Sequence, residues 1–292
     1  FGNIQKMRKH LETDRQILWV TYYRNLYNAT HPSEINSPVS LSRNLLAWNQ
    51  PGTNGLILPV NPSASFLSIL FANELWFTLG DMTMAEHCAM LSMIFSPRNS
   101  GSRMIKRLAE INLVNGDDEA ALKYLRILDK TLLHKSWAEK RIPGQQTPRV
   151  KEWLEKKRRD IPTQDQLRSG NDAVTSLRNL VASNAGNLRA YEYLLCYHLL
   201  SKDLRSFVED YVPGKVSSPI FAEALLIYLA RQGNIRAEEL IKYQIPVEIA
   251  KEFADYTRIY EAKDTSLKEK YGKTYWFYYH FATTEPGKES KP

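Results

Sequence analysis

The sequence predicts an all-α protein, built of antiparallel helical hairpins that stack as a right-handed solenoid. Three observations lead there. Apolar residues recur at helical spacing through most of the chain, strand-like alternation is rare, and glycine contributes only 13 of 292 residues. Two Gly-Asp turns, Gly80-Asp81 and Gly116-Asp117, lie 36 residues apart. An alanine follows each glycine by five positions, Ala85 in one case and Ala121 in the other. An interval of this size fits a repeat whose unit is one helix–turn–helix.

Taken in order, residues 4–28 read as a helix with a break near Glu12-Thr13-Asp14, ended by His31-Pro32. A short helix follows over 40–48. Residues 50–62 hold two glycines and three prolines, so they are irregular: either a crossing over the surface or a binding loop. The first hairpin spans 63–97. Asn61 can cap it, with Pro62 at the first helical position, where a missing N–H costs nothing. Phe66, Leu67, Leu70, Leu75, Phe77 and Leu79 make its first helix apolar most of the way round, so that helix needs cover on several sides. Gly80 can take the left-handed conformation that ends a helix, and Asp81 can cap the next. Ala85, Cys88, Ala89 and Ser92 then form a face of small side chains that lets two helices approach closely. Pro97 blocks continuation.

The second hairpin, 99–134, repeats the plan. Ile105, Leu108, Ala109 and Asn112 share one helical face, and Ala121, Tyr124, Leu125, Leu128 and Leu132 form the facing stripe. Against the tetratricopeptide pattern, Ala109 and Ala121 stand at the small-residue positions. Trp76 stands at the aromatic position of the first unit, and Asn112 replaces it in the second. The expected architecture is therefore a tetratricopeptide-like solenoid, with an N-terminal group of hairpins over 1–140.

Residues 141–170 read as a polar linker, interrupted by Pro143-Gly144 and Pro148. Its run Lys156-Lys157-Arg158-Arg159 lies among Glu152, Glu155 and Asp160 without interleaved aromatics. It reads as a solvated helix face, not as a phosphate-binding patch. A second group of hairpins is expected over 171–282. Helices over 171–181 and 187–200 precede Lys202-Asp203, which stands in for the Gly-Asp turn. Further helices follow over 204–211, over 220–230 before Gly233-Asn234, and from Pro246 to about residue 260. Residues 275–281 hold six aromatics in seven positions. They form either a terminal helix that closes the stack or an exposed stacking platform. Residues 283–292 are polar and expected to be disordered.

The net charge of +7 is moderately basic, and 43% hydrophobic residues suffice for a continuous core. No run of 18 apolar residues could span a bilayer. The chain opens on Phe1 without a leader and reads as a trimmed piece of a longer protein. No Gly-rich phosphate loop, zinc-ligand spacing, nucleophile elbow or triad grouping occurs, so no catalytic residue, cofactor or metal is expected. The six histidines are scattered singly, and Cys88 and Cys196 read as small buried side chains. Nucleic acid is not an expected partner.

Four blocks carry a resemblance: LWFTLGDMTMAE from Leu75, RMIKRLAEINLVNGDDEAALKYLRILDKTLLHKSWAEK from Arg103, NLRAYEYLLCYHLLSKDL from Asn187 and KYGKTYWFYYHF from Lys270. Over roughly residues 60 to 282 the chain is similar to the C-terminal soluble part of an uncharacterised family of bacterial membrane proteins. Members of that family carry transmembrane helices upstream and a tetratricopeptide-like region downstream. The resemblance implies a membrane-anchored parent whose soluble part faces the periplasm, and it carries over no site residues. The expected function is a non-enzymatic scaffold for a protein or peptide partner, since helical-hairpin stacks offer concave surfaces. The alternative is an accessory domain that positions substrate for a membrane enzyme or transporter acting on envelope glycans or lipids. The residues expected at a partner-binding surface are Asn73, Trp76, Asn112 and Tyr193 on inward helix faces, with Trp276 and Tyr278 from the aromatic box.

Overall fold

A computed structural model of the chain describes residues 66–95, 101–163 and 173–281. Among these residues there are fourteen helices and no strand. The chain divides into two compact units, one over Leu58–Tyr191 and one whose described residues are 192–281. The helices expected over 4–28 and 40–48, the irregular stretch 50–62, the Asn61-Pro62 cap, the stop at Pro97 and the tail 283–292 lie outside the described residues.

In the first unit, α1 (Phe66–Leu79) pairs with α2 (Met82–Phe95) and α3 (Ser102–Asn115) with α4 (Asp118–Asp129). Helix α2 also packs on α3, so the two hairpins lie against each other. The small-residue face of α2 is why: Ala85, Cys88, Ala89 and Ser92 are each no more than 1% exposed. Ala89 packs with Met104 and Leu108 of α3. Ile105 and Ala109 join Leu125 and Leu128 of α4 and Ala138 of α5 (Lys135–Glu139) in one cluster. Both thiols are free and buried, and burial, with Asp81 adding to it, pushes Cys88 up to about 12. Leu132, expected in the α4 stripe, is 96% exposed. The helix ends at Asp129, and Leu132 falls in the turn beyond it.

Where a polar linker is expected, Pro148–Asp160 forms α6, which packs on α3. Proline at its first turn opens it, and Val150 and Leu154 are its buried apolar anchors. Two of its basic residues, Lys157 and Arg158, also bond to the neighbouring helices. The Arg158 guanidinium donates to the carbonyls of Val114 (3.0 Å) and Leu113 (2.8 Å), satisfying orphan acceptors at the end of α3. The basic run is therefore not one solvated face. Helix α7 (Ala173–Ser183) follows.

One turn geometry recurs. Gly80 (φ 94°) and Gly116 (φ 81°) are left-handed. The next residue's N–H reaches back five positions, Asp81 to Trp76 O and Asp117 to Asn112 O, both at 2.9 Å. The same aspartates then accept from the N–H of Met84 and Ala120, capping the next helix. Lys202-Asp203 repeats this with a lysine at φ 56°: Asp203 N–H donates to His198 O and its carboxylate accepts from Ser206 N–H. Gly233-Asn234 and Lys263-Asp264 carry the same backbone closure, to Leu229 O and Ile259 O. The substitution of Lys202 for glycine thus keeps the turn.

The second unit is centred on α10 (Pro219–Arg231), which packs on α9 (Leu204–Asp210), α12 (Val247–Glu261) and α14 (Tyr275–Phe281). Short helices not expected from the sequence, α11 (Ala237–Lys242) and α13 (Leu267–Tyr271), join these. Helix α8 (Leu188–Leu200) leads into them, and His198 lies 2.8 Å from Asp210 of α9. The aromatic box of α14 closes the end of α8: Tyr275 OH donates to Leu199 O (2.9 Å) and Tyr278 OH to Leu200 O (2.7 Å).

Candidate partner-binding face

All six residues expected at a partner-binding surface are buried: Asn73, Trp76, Asn112, Tyr193, Trp276 and Tyr278 are between 0% and 7% exposed. Four of them donate inside the fold. Asn73 Nδ2 donates to Ala85 O (2.6 Å), tying α1 to α2. Asn112 Nδ2 donates to Leu108 O one turn earlier in its own helix. Trp276 Nε1 donates to Glu223 O (3.0 Å), and Tyr278 is held as described. The inward positions of these helices are core, because the helices pack on more than one side. The structure does not bring the six together as one accessible set.

A different set converges in the first unit, on the polar edge of α3. Glu110 lies three positions after Arg107 and four after Lys106, so it neighbours both on one side of the helix. Arg107 donates to Glu74 of α1 (2.6 Å), lies 3.7 Å from Glu110, and places its guanidinium carbon 3.7 Å from the centre of the Phe77 ring. Lys157 of α6 donates to Phe77 O (3.1 Å), and its ammonium lies 4.5 Å from the same ring. Trp153, one turn earlier in α6, stacks on Phe77 at 6.3 Å and 27°. Phe77 is thus in reach of two cations and a second aromatic.

The electrostatics follow from partial burial. Desolvation, with Arg189 and Arg107 adding repulsion, pushes the Lys157 ammonium down to about 8. Glu110 is pushed up by burial, against the pull of Arg107 and Arg141. Glu74, Arg107, Glu110, Trp153 and Lys157 remain half-buried, so the face keeps contact with solvent. The Phe77 ring itself is buried beneath these groups, at 5% exposure. The face presents no nucleophile–base pair.

Sequence reading missed this face because its parts are 33 to 80 residues apart in the chain. The local signal was the Lys106-Arg107-Glu110 edge on an otherwise apolar helix. Elsewhere, in the second unit, an open cleft of about 430 Å³ lies at the α10–α11 turn, among Tyr228, Asn234, Arg236, Lys242 and Tyr243. Among the described residues, no group of three His, Cys, Asp or Glu could hold a metal ion, and no helix is long and apolar enough to cross a membrane.

The sequence matches no curated protein and no solved structure. A family model does match, over residues 19–282, and it is described as a family of unknown function, DUF6057. With nearly the whole length covered, the chain belongs to that family.

Proposed function

We propose that this chain is a non-enzymatic interaction scaffold: a tetratricopeptide-like repeat region, part of a larger membrane-anchored protein, that docks a protein or peptide partner. The observation that supports this reading is the half-buried face in which Arg107 and Lys157 approach Phe77 beside Glu74, Glu110 and Trp153. Mixed charges around rigid aromatics suit a peptide that offers both carboxylates and an apolar side chain. The alternative, substrate positioning by Trp276 and Tyr278, loses its support because both side chains are buried and bonded within the second unit.

The test is site-specific photo-crosslinking in cells that produce the full-length parent. A crosslinking residue in place of Trp153 captures a discrete partner, and Arg107→Glu abolishes the capture. The same residue in place of Lys123, an exposed position of α4, captures nothing. Equal capture at both positions, or capture indifferent to Arg107→Glu, sinks the proposal.

A further inference from the structure

The turn between α4 and α5 holds two adjacent leucines out in water, Leu132 at 96% exposure and Leu133 at 85%. Single exposed leucines are ordinary, but a neighbouring pair this open is not. Among the described residues, no other two consecutive large hydrophobics are both exposed. The turn is built, not loose. The Thr131 N–H and hydroxyl both donate to Leu128 O (3.0 and 2.7 Å), and Thr131 O accepts from the N–H of His134 (3.3 Å) and Lys135 (3.1 Å). These bonds close the chain around residues 132 and 133 and leave them at its tip. The stem below is anchored by Leu128 and Ala138, both fully buried in one cluster. Neither leucine has a left-handed φ, so the backbone would accept the polar residues usual in turns.

Cations bracket the tip. Lys130 stands just before Thr131 and Lys135 just after His134, and both are exposed, as are Arg126 and Lys140. Residues 122–141 hold six Lys or Arg against two acids. Of these acids, Asp129 is half-buried and Glu139 lies 4.0 Å from Lys135. An apolar point thus sits inside a positively charged collar.

We propose that the Leu132-Leu133 turn is an insertion tip for an anionic lipid surface. The two leucines enter the boundary between headgroups and acyl chains, and the surrounding lysines and arginines meet the headgroup charge. A protein partner fits this tip less well. A specific interface covers about 800 Å² on each side around a well-packed centre, where leucine is under-represented. Two side chains on a protruding turn supply no such centre, whereas a fluid bilayer needs no matching shape. The contact is separate from the docking face on α3 and does not depend on it.

The test uses the full chain and vesicles of phosphatidylcholine, either pure or mixed equally with phosphatidylglycerol. Leu132→Cys carrying a polarity-sensitive fluorophore reads the surroundings of the tip. Cys88 and Cys196 are buried, which leaves the label to the added thiol. On the mixed vesicles the emission moves to the blue in a saturable way. The same label at Glu119→Cys, in the first turn of α4, stays in water. Sedimentation of the unlabelled chain with these vesicles gives the affinity. Leu132→Ser and Leu133→Ser each weaken it by about tenfold. Lys130→Gln weakens it by about fivefold, and high salt or pure phosphatidylcholine removes most of it. Both leucines already lie in water, so the serine variants keep the fold. Ile241→Ser, at a 77% exposed isoleucine of α11, leaves the affinity unchanged. No sedimentation with the mixed vesicles, a label at position 132 that stays in water, undiminished affinity in the leucine variants, or an equal loss in Ile241→Ser overturns the proposal. A dimer in solution that Leu132→Ser dissolves overturns it too, because the tip then meets a second copy of the chain.

Discussion

Gly80 and Gly116 occupy the same place in two successive hairpins, with the same left-handed φ and the same backbone closure behind them. Their surroundings differ. A Cβ on Gly116 meets nothing within 4 Å, whereas a Cβ on Gly80 would sit 2.2 Å from the carbonyl oxygen of Asp160. That carbonyl accepts from Asn187 Nδ2 (2.8 Å), which also donates to Leu79 O (2.7 Å), so the crowded point cannot yield without losing both bonds. Gly116→Ala is therefore expected to cost only the left-handed penalty, about 1–2 kcal/mol. Gly80→Ala adds a backbone clash and should cost about 4 kcal/mol or more. Urea unfolding of the two variants measures the difference, and equal costs would contradict the packing described. The turn itself was legible from residue type, since Gly-Asp states both a left-handed residue and a cap. The clash was not, because Asp160 arrives from eighty residues away.

At the scale of elements, α14 is held by α10 through Glu223. Its carboxylate accepts the N–H of Tyr275 (2.5 Å), and its carbonyl accepts the Trp276 indole. Burial, with Glu252 of α12 adding repulsion, pushes the Glu223 carboxyl up to about 7 from 4.5. The folded state thus binds a proton that the unfolded chain releases near 4.5. Stability from this group is fully present below that value and is lost as pH rises through 7. Glu223→Gln keeps an acceptor for Tyr275 and removes the charge. It should raise stability at pH 8 by roughly 2–3 kcal/mol and flatten the decline between pH 4.5 and 7. Thermal unfolding at pH 4.5 and pH 8 checks it; a variant less stable than the parent at pH 8 would refute it. The existence of α14 was visible in its aromatic run, and so was the option that it packs as a terminal helix. The partner glutamate was not, because a single Glu inside the apolar α10 has no pattern. Helix α6 shows the reverse failure. Its polar composition suggested a linker, yet Lys157 and Arg158 work inward, on carbonyls that only the folded chain supplies.

Over the whole molecule, one buried group in each unit acts on stability with opposite sign as pH rises. In the first, burial and neighbouring cations hold Lys157 at about 8, below its ordinary 10.5. The penalty is complete below 8 and is relieved as pH rises from 8 toward 10.5, so this contribution stabilises the first unit in the alkaline range where Glu223 has already weakened the second. Lys157→Met should remove the alkaline gain in the first unit while leaving the second unit's decline through neutral pH in place. Hydrogen exchange resolved by residue, at pH 6 and pH 9, separates the two. The fold class was readable because helices and their turns are local: apolar spacing, capping aspartates and left-handed residues lie within one or two turns of each other. The polar face was not, because Glu74, Arg107, Glu110 and Lys157 belong to three elements and meet only after packing.

The contact between Gly80 and the end of α6 also bears on synthesis. A ribosome releases the first hairpin long before it has made the carbonyl that Gly80 rests against. Until those eighty later residues emerge, the mouth of that hairpin has no lid, and the growing chain must carry an uncovered seam through that interval.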